Sequence, residues 1–407
     1  MQELRPTLSE RLLQHKAGRT ARCGRQPKQE ELVMAKSQWT KAEPKGLPLI
    51  EIVCLVLEEA AQKVIRNKGA AGVDGVTFED LPQLLEKHGE KIKQKLRNGT
   101  YIPAPVKRVD IPKPNGGTRM LGIPTLLDRT IQQAIVMTIG GDFEEQFSNK
   151  SYGFREGRNC QQAVLKAQEY VESGKRWVVE MDLSKFFDRV NHDILMDRVS
   201  RVITDKPLLK LIRRYLNAGI MEDGLVSPRT QGVPQGSPLS PLLSNVMLTE
   251  LDWEIESRGL SHVRYADDCN IYVKSEKAAQ RVLNSITQYV EGELKLRVNR
   301  DKSGTFRPKD STFLGYTFSK ADNKRIVVAE KSVKRLWTKL HKMFNSARGT
   351  SLKTTIERIT PVLRGWRNYY RLDTRKKYWS EMDERIRHHL RKLIWIAWKR
   401  PKTRERN

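Results

Sequence analysis

Two acidic residues stand side by side in Tyr265-Ala266-Asp267-Asp268. His262-Val263-Arg264 precedes them and Cys269-Asn270-Ile271-Tyr272-Val273 follows, a pattern that reads as strand, tight turn, strand. Adjacent carboxylates at a hairpin tip repel each other and weaken an ordinary hairpin. A divalent cation between them reverses the sign of that effect. Hard cations such as Mg²⁺ take carboxylate oxygens and keep positions open for substrate phosphates. The chemistry such a pair could serve is metal-dependent phosphoryl transfer, completed by a third acid elsewhere. Short patterns also arise by chance, and a solvated acidic turn is the alternative.

A third acid is available in Arg176-Trp177-Val178-Val179-Glu180-Met181-Asp182-Leu183, the strongest strand in the chain. Its apolar run suggests a central, buried strand. Asp182 sits near its C-terminal end, and Ser184-Lys185-Phe186-Phe187-Asp188 turns into a helix over residues 194–203. A carboxylate at the end of a buried strand needs a partner, because an unpaired one costs several kcal/mol. That partner could be a metal shared with Asp267 and Asp268. Taken alone, Asp182 also reads as a helix cap or one half of a salt bridge.

The elements that must position these groups follow from periodicity. Residues 1–46 are polar and basic without a clear period, and read as a mobile arm with a short helix near residues 8–15. From 49 to 66, Ile52, Leu55, Val56, Ala60 and Val64 share one helical face, which Asn67-Lys68-Gly69 ends. The Gly-rich turn at 69–75 is either a connector or a close approach to a phosphate backbone. A helix over 79–97 leads into residues 103–119, a β-ribbon turning at Asn115-Gly116. Lys113 and Arg119 flank that turn and could clamp a triphosphate; either alone is an ordinary surface charge. Asp128 is expected to cap a helix through Ile131, Ala134, Ile135 and Ile139. A turn rich in Gly and Arg at 151–159 precedes a helix over 160–171.

Gly232-Val233-Pro234-Gln235-Gly236-Ser237-Pro238-Leu239-Ser240-Pro241 is a rigid loop feeding a helix whose apolar face is Leu242, Val246, Leu251 and Ile255. Such a loop can hold a backbone against a base pair, or merely start a helix. After the acidic hairpin come a helix over 278–290, a turn at 299–304, a strand over 312–318 and its antiparallel partner at 325–328. The remainder is helical, with Leu336, Leu340, Met343 and Phe344 on one face and Met382, Ile386, Leu390, Leu393, Ile394 and Ala397 on another. Between them, Leu363-Arg364-Gly365-Trp366-Arg367-Asn368-Tyr369-Tyr370-Arg371 alternates base and aromatic. Pro401 is expected to end the last helix.

Charge is unevenly distributed. The net charge is +27, and residues 331–407 hold 23 Lys/Arg against 6 Asp/Glu together with five of the eight tryptophans. Bases interleaved with aromatics suit a nucleic-acid surface; a solvated face over an aromatic core would mix signs. No apolar run approaches the eighteen or so residues of a membrane span, and no signal peptide is apparent. The four cysteines are scattered, without zinc-ligand or disulfide spacing, which suits a reducing, cytoplasmic compartment.

These pieces, in this order, resemble the reverse transcriptases encoded by group II introns, over roughly residues 50–400. Residues 181–188, 232–238 and 265–268 carry the resemblance, with 312–318 similar to the strand that closes that family's palm and 363–371 to its maturase-type thumb. The resemblance implies an α+β, right-hand polymerase fold: fingers at 47–150, a palm at 151–325 with antiparallel strands, and a basic helical thumb, the RNA-binding maturase domain, at 326–407. It implies Asp182, Asp267, Asp268 and the Leu183 carbonyl as ligands of two Mg²⁺ (Mn²⁺ is an alternative), about 3.5–4 Å apart in such sites. It matches Lys113 and Arg119 to triphosphate binding, Phe187 to exclusion of a ribose 2′-OH, Gln235 to the nascent pair and Lys302 to the leaving pyrophosphate. Arg364, Trp366, Arg367, Tyr369, Tyr370 and Arg371 are expected to touch nucleic acid. The partners implied are an RNA template with a DNA or RNA primer, dNTPs and structured intron RNA, with no membrane. The seven histidines are dispersed, so no nuclease centre is expected. Two further readings keep this fold: a non-catalytic splicing cofactor, which the intact acidic triad opposes, and a domesticated polymerase in repair or phage defence.

Overall fold

The computed structural model describes residues 39–43, 45–112, 118–222, 224–321, 324–347 and 349–397. The described residues fall in one compact unit that starts at Trp39. The helix expected near residues 8–15, the Asn115-Gly116 turn and Pro401 lie outside them. Residues 39–43 and Lys45 are not part of a mobile arm. Trp39 is buried, its ring 4.8 Å from that of Trp253 and its indole N–H donating to Glu250. The Ala42 amide donates to the Val202 carbonyl, and Lys45 pairs with Asp142. A Trp buries enough apolar area to hold a chain end down.

The fingers open with α1 (Leu49–Leu55) and α2 (Leu57–Arg66), then α3 (Leu81–Arg97). The single helix expected over 49–66 is broken at Val56, and its buried stripe is Ile50, Val53, Cys54, Leu57, Ala60, Ala61 and Val64. Leu55, expected on the inner face, is 66% exposed. Residues 49–57 are apolar at nearly every position, so two stripes compete, and packing against α4 (Leu126–Glu144) selects one. Strands β1 (Val106–Pro112) and β2 (Thr118–Ile123) form the expected antiparallel ribbon, with Val109 opposite Leu121. Thr125, not Asp128, caps α4: its hydroxyl oxygen accepts from the Asp128 amide. Asp128 sits one turn in and is fully buried, accepting from the Tyr101 and Tyr215 hydroxyls and the Ala104 amide.

The palm sheet is antiparallel throughout, in the order β6–β7–β3–β8: β6 (Ser261–Tyr265), β7 (Asp268–Val273), β3 (Trp177–Met181) and β8 (Gly304–Phe306). Helix α5 (Cys160–Glu172) covers one face through Ala163, Val164, Ala167 and Val171, which pack with Val178, Val263 and Tyr272. From β3 the chain passes α6 (Phe186–Arg189), α7 (His192–Val202) and α8 (Lys206–Asn217). The short strands β4 (Ile220–Glu222) and β5 (Leu225–Ser227) extend the fingers ribbon, β4 running parallel to β1. Helix α9 (Ser240–Ser257) was expected to bury one face; it is buried on nearly every side, between palm and fingers. Helix α10 (Glu276–Gly292) backs the sheet on the face opposite α5.

The strand expected at 312–318 is shorter and does not close the palm sheet. Only β9 (Tyr316–Phe318) is strand, pairing with β10 (Ile326–Val328) as a separate ribbon; β8 takes the edge position. Phe313 to Tyr316 is a tight turn with φ of +52° at Leu314 and +79° at Gly315. A Cβ on Gly315 would stand 2.5 Å from the Tyr370 hydroxyl, so this left-handed position needs glycine twice over. The thumb helices are α11 (Glu330–Ser346), α12 (Leu352–Tyr369) and α13 (Lys376–Ala397) around Leu336, Leu340, Phe344, Ile359, Met382 and Ile386. They begin at Glu330, after β10, rather than at 326.

Candidate active site

The β6–β7 hairpin pairs Tyr265 with Asp268, leaving Ala266 and Asp267 as a two-residue turn. Ala266 has φ +58°, which costs a residue with a Cβ about 1–2 kcal/mol. The turn is held from beneath by Arg264, whose side chain is fully buried. Its guanidinium donates to both Asp252 oxygens at 2.8 and 2.7 Å, to the Ala266 carbonyl at 2.9 Å and to Asn245 Oδ1 at 3.0 Å. Burial alone would raise the Asp252 carboxyl, but the Arg264 charge and its hydrogen bonds hold it below the usual range. Asn245 in turn donates to the Gly153 carbonyl, and Gly153 lies so close that a Cβ there would meet the Ala266 nitrogen at 2.3 Å.

Met181 pairs with Cys269, so Asp182, one residue beyond β3, lies across from Asp268 at the same end of the sheet. The turn after α10 fixes it. The Asn299 amide donates to the Asp182 carbonyl at 2.8 Å, and Ser303 Oγ accepts from the Asp182 amide at 3.0 Å. Asn299 Nδ2 donates to the carboxylate at 2.9 Å, and Lys302 Nζ stands 3.4 Å from the same oxygen. The three acids feel one another. Burial, then the Asp182 charge, raises Asp267 above the usual carboxylate range. Burial, then Asp267 and Asp182, pushes Asp268 up to about 6. Asp268 is an exposed residue whose carboxyl is nevertheless crowded by these neighbours, the situation of an acid on the floor of an open cleft.

Among the described residues no three His, Cys, Asp or Glu side chains are gathered closely enough to hold a metal ion, so the expected convergence of Asp182, Asp267 and Asp268 on shared cations is not made in this conformation. Like charges splay, and Asp182 is turned toward Lys302 and Asn299. The donor chemistry nevertheless fits hard divalent cations: carboxylates, plus the Leu183 carbonyl. The bridge between Leu183 and Val298 uses the Asp182 carbonyl and the Ser184 amide, which leaves the Leu183 carbonyl out of that ladder.

The other predicted residues divide. Phe187 lies in α6, nearly buried, at the wall of a cleft of about 600 Å³ that Arg119, Gln235 and Phe154 also line. Arg119 Nε donates to Gln235 Oε1 at 2.6 Å, so fingers and loop meet there. Lys113 lies outside the described residues. In the thumb, Arg364, Arg367 and Arg371 are exposed, whereas Tyr370 is buried against Tyr316, at 5.1 Å, and Trp366 packs between Tyr370 and Trp379. The bases of that segment face outward; Tyr370 is buried in packing and Trp366 is half-buried between it and Trp379. Tyr369 is 36% exposed, its hydroxyl donating to the Leu314 carbonyl.

Sequence reading missed Arg264, Asp252 and Asn245, although an arginine inside an apolar strand was a visible signal. It also missed Asn299 and Ser303, and Phe154, which is 51% exposed with φ +61° between fixed neighbours. No sequence signal marks that exposure.

An acidic cluster at the open end of an antiparallel palm sheet, fingers on one side and a helical thumb on the other, defines a right-hand nucleic-acid polymerase. Residues 111–318 match the family described as reverse transcriptase (RNA-dependent DNA polymerase), and 333–407 match the group II intron, maturase-specific domain. Protein YkfC of Escherichia coli K12 is 36% identical over 64% of this chain and 79% of its own length. The group II intron-encoded protein LtrA of Lactococcus lactis is 39% identical over 47% of this chain and 32% of its own. The putative COX1/OXI3 intron 1 protein of Saccharomyces cerevisiae is 31% identical over 61% of this chain and 30% of its own. The chain belongs to the reverse transcriptase family, as an RNA-directed DNA polymerase of the group II intron type carrying a maturase domain. Polymerases of this family use divalent metal ions and act on nucleic acid. Among the described residues no helix is long and apolar enough to cross a membrane.

Proposed function

We propose that this chain extends a DNA or RNA primer on an RNA template with dNTPs, and that Asp182, Asp267, Asp268 and the Leu183 carbonyl hold two Mg²⁺, which Mn²⁺ could replace. The observation that carries this reading is the register that sets Asp182 across from Asp268 beside the hairpin tip. The bound ions would lower the pKa of the primer hydroxyl and neutralise charge on the leaving pyrophosphate. The protein's share is mainly positioning. Arg119, oriented by Gln235, would grip the triphosphate together with Lys113. Gln235 and Phe187 would form the wall beside the nascent pair. Lys302, released from Asp182 when cations take that carboxylate, would face the pyrophosphate. Arg364, Arg367 and Arg371 would hold the duplex backbone, and the thumb surface would also take structured intron RNA. Residues 39–150 serve as fingers, 151–329 as palm and those from 330 onward as thumb. The three described unbridged cysteines suit a reducing cytoplasm.

Primer extension on an RNA template with dNTPs and Mg²⁺ tests this. Extension by the wild-type chain is expected, and its absence on every template would leave the splicing-cofactor reading in its place. Phe187→Val is expected to lower discrimination against rNTPs by at least about tenfold, since one removed steric contact is worth about 1–3 kcal/mol. The ratio of kcat/KM for rNTP and dNTP measures it; an unchanged ratio would remove Phe187 from the sugar gate.

The raised Asp268 carboxyl fixes a pH dependence. The folded, metal-free chain holds that proton to about pH 6, and the unfolded chain only to about 4. The folded form therefore binds more protons in this window, and the contribution of Asp268 to metal-free stability falls as pH rises through it. Metal binding is opposed by the same proton below about pH 6. The Mg²⁺ concentration for half-maximal extension should rise as pH falls from 7 to 5.5. A flat Mg²⁺ requirement would contradict a metal-binding role for Asp268.

A further inference from the structure

At the end of the palm sheet away from the aspartates lies a cavity of about 650 Å³, lined by Lys175, Arg176, Arg307, Lys309, Lys324 and Glu172, with only one acid among these charges. Trp177, which starts β3 there, is five residues from Asp182, about 16 Å along an extended strand. Lys175, Arg176, Arg307 and Lys309 form no ion pair among the described residues. Gathering unpaired like charges around a concavity raises its potential and draws in anions.

Two backbone turns hold these cations in place. Gly174, at φ +88°, carries the chain from α5 into β3, where the Lys175 amide donates to Tyr170 and the Arg176 amide to Val273. Across the cavity the Arg307 carbonyl accepts from the Asp310 and Ser311 amides. The Arg307 guanidinium lies 4.3 Å from the Trp177 ring centroid, which fixes its plane and leaves its N–H edges for acceptors. Point charges beside one oriented, planar guanidinium suit a run of phosphates with a base able to stack on the arginine.

We infer that this cavity is a second RNA-binding site, which takes the phosphate backbone of an RNA segment other than the primer–template duplex in the catalytic cleft. The inference rests on the polymerase reading above, because that reading supplies RNA as the polyanion.

The test uses the full chain, first saturated with a primer–RNA template duplex whose primer ends in a dideoxynucleotide, held with the next dNTP and Mg²⁺. Fluorescence anisotropy then follows binding of a labelled RNA hairpin of about 20 nucleotides. The Lys175→Glu/Arg176→Glu/Arg307→Glu variant should bind the hairpin at least about thirtyfold more weakly, with a salt slope smaller by about three. Its primer extension should stay within about twofold of wild type. Arg307→Lys should show a smaller loss, keeping the charge without the planar fork. Unchanged hairpin binding would overturn the inference. A parallel loss of extension in a folded variant would also overturn it, by making the cavity part of the template path. Displacement of the hairpin by polyglutamate as readily as by unlabelled hairpin would assign an acidic protein instead. If wild type fails to extend primers while the variant still loses hairpin binding, the polymerase reading fails and this site stands.

Discussion

Asp267→Asn is expected to lower the rate of primer extension by at least about a thousandfold while raising the unfolding midpoint measured in EDTA. A lost metal ligand removes several kcal/mol of transition-state stabilisation, and each 1.4 kcal/mol is tenfold in rate. The opposite sign for stability follows from the electrostatics of the metal-free site. Asp267 is pushed above the usual carboxylate range by burial and by Asp182, and it in turn raises Asp268. Amide for carboxylate keeps the shape and removes the repulsion. A gain of about 1 kcal/mol would appear as about 1 °C in a chain of this size. Mg²⁺ should stabilise wild type more than the variant. RNA binding by anisotropy should survive. A variant that loses activity and stability together would point to a structural role for Asp267.

The second large effect concerns the support under the hairpin. Arg264→Leu leaves Asp252 buried with only His262, 3.4 Å away, beside it, a loss of about 3–5 kcal/mol that is expected to cost most of the fold's stability. The double variant Arg264→Leu/Asp252→Leu should recover much of that stability, because replacing both partners of a buried pair by apolar groups is often neutral. Extension should not recover. Neither leucine can donate to the Ala266 carbonyl, so the left-handed turn that aims Asp267 loses its anchor. Thermal midpoints beside kcat and KM for single-nucleotide addition separate the two effects. Full rescue of kcat by the double variant would reduce Arg264 to a packing residue.

The candidate acids were legible because chemistry fixed their residue types and strands fixed their surroundings. An apolar run ending in Asp182 and a hairpin tipped by Asp267 and Asp268 can be read without coordinates. Convergence could not be, since it depends on β3 pairing with β7 across nearly ninety residues of intervening chain. The fingers stripe failed where nearly every residue of 49–57 is apolar and two faces compete. The expected strand at 312–318 failed because Leu314 and Gly315 adopt left-handed backbone that side-chain alternation does not report. The packing of Trp366 and Tyr370 was hidden for a related reason: an aromatic beside an arginine has the same spelling whether it stacks on a base or on another ring. The Arg264–Asp252 pair was invisible as a pair, since its halves sit in different elements and only burial makes them matter.

The thumb's root bears on how such chains can be recombined. Tyr316 in β9 donates to the Tyr369 carbonyl, Gln161 of α5 donates to the same oxygen, and Asp373 accepts from the Val328 amide of β10. Tyr370 closes over Gly315, with no room for even a methyl group. The helices after Glu330 are therefore not an interchangeable module. A chimaera that borrows a thumb from a relative has to be spliced upstream of Phe313, carrying turn and ribbon along with it, or its donor tyrosines will find no socket.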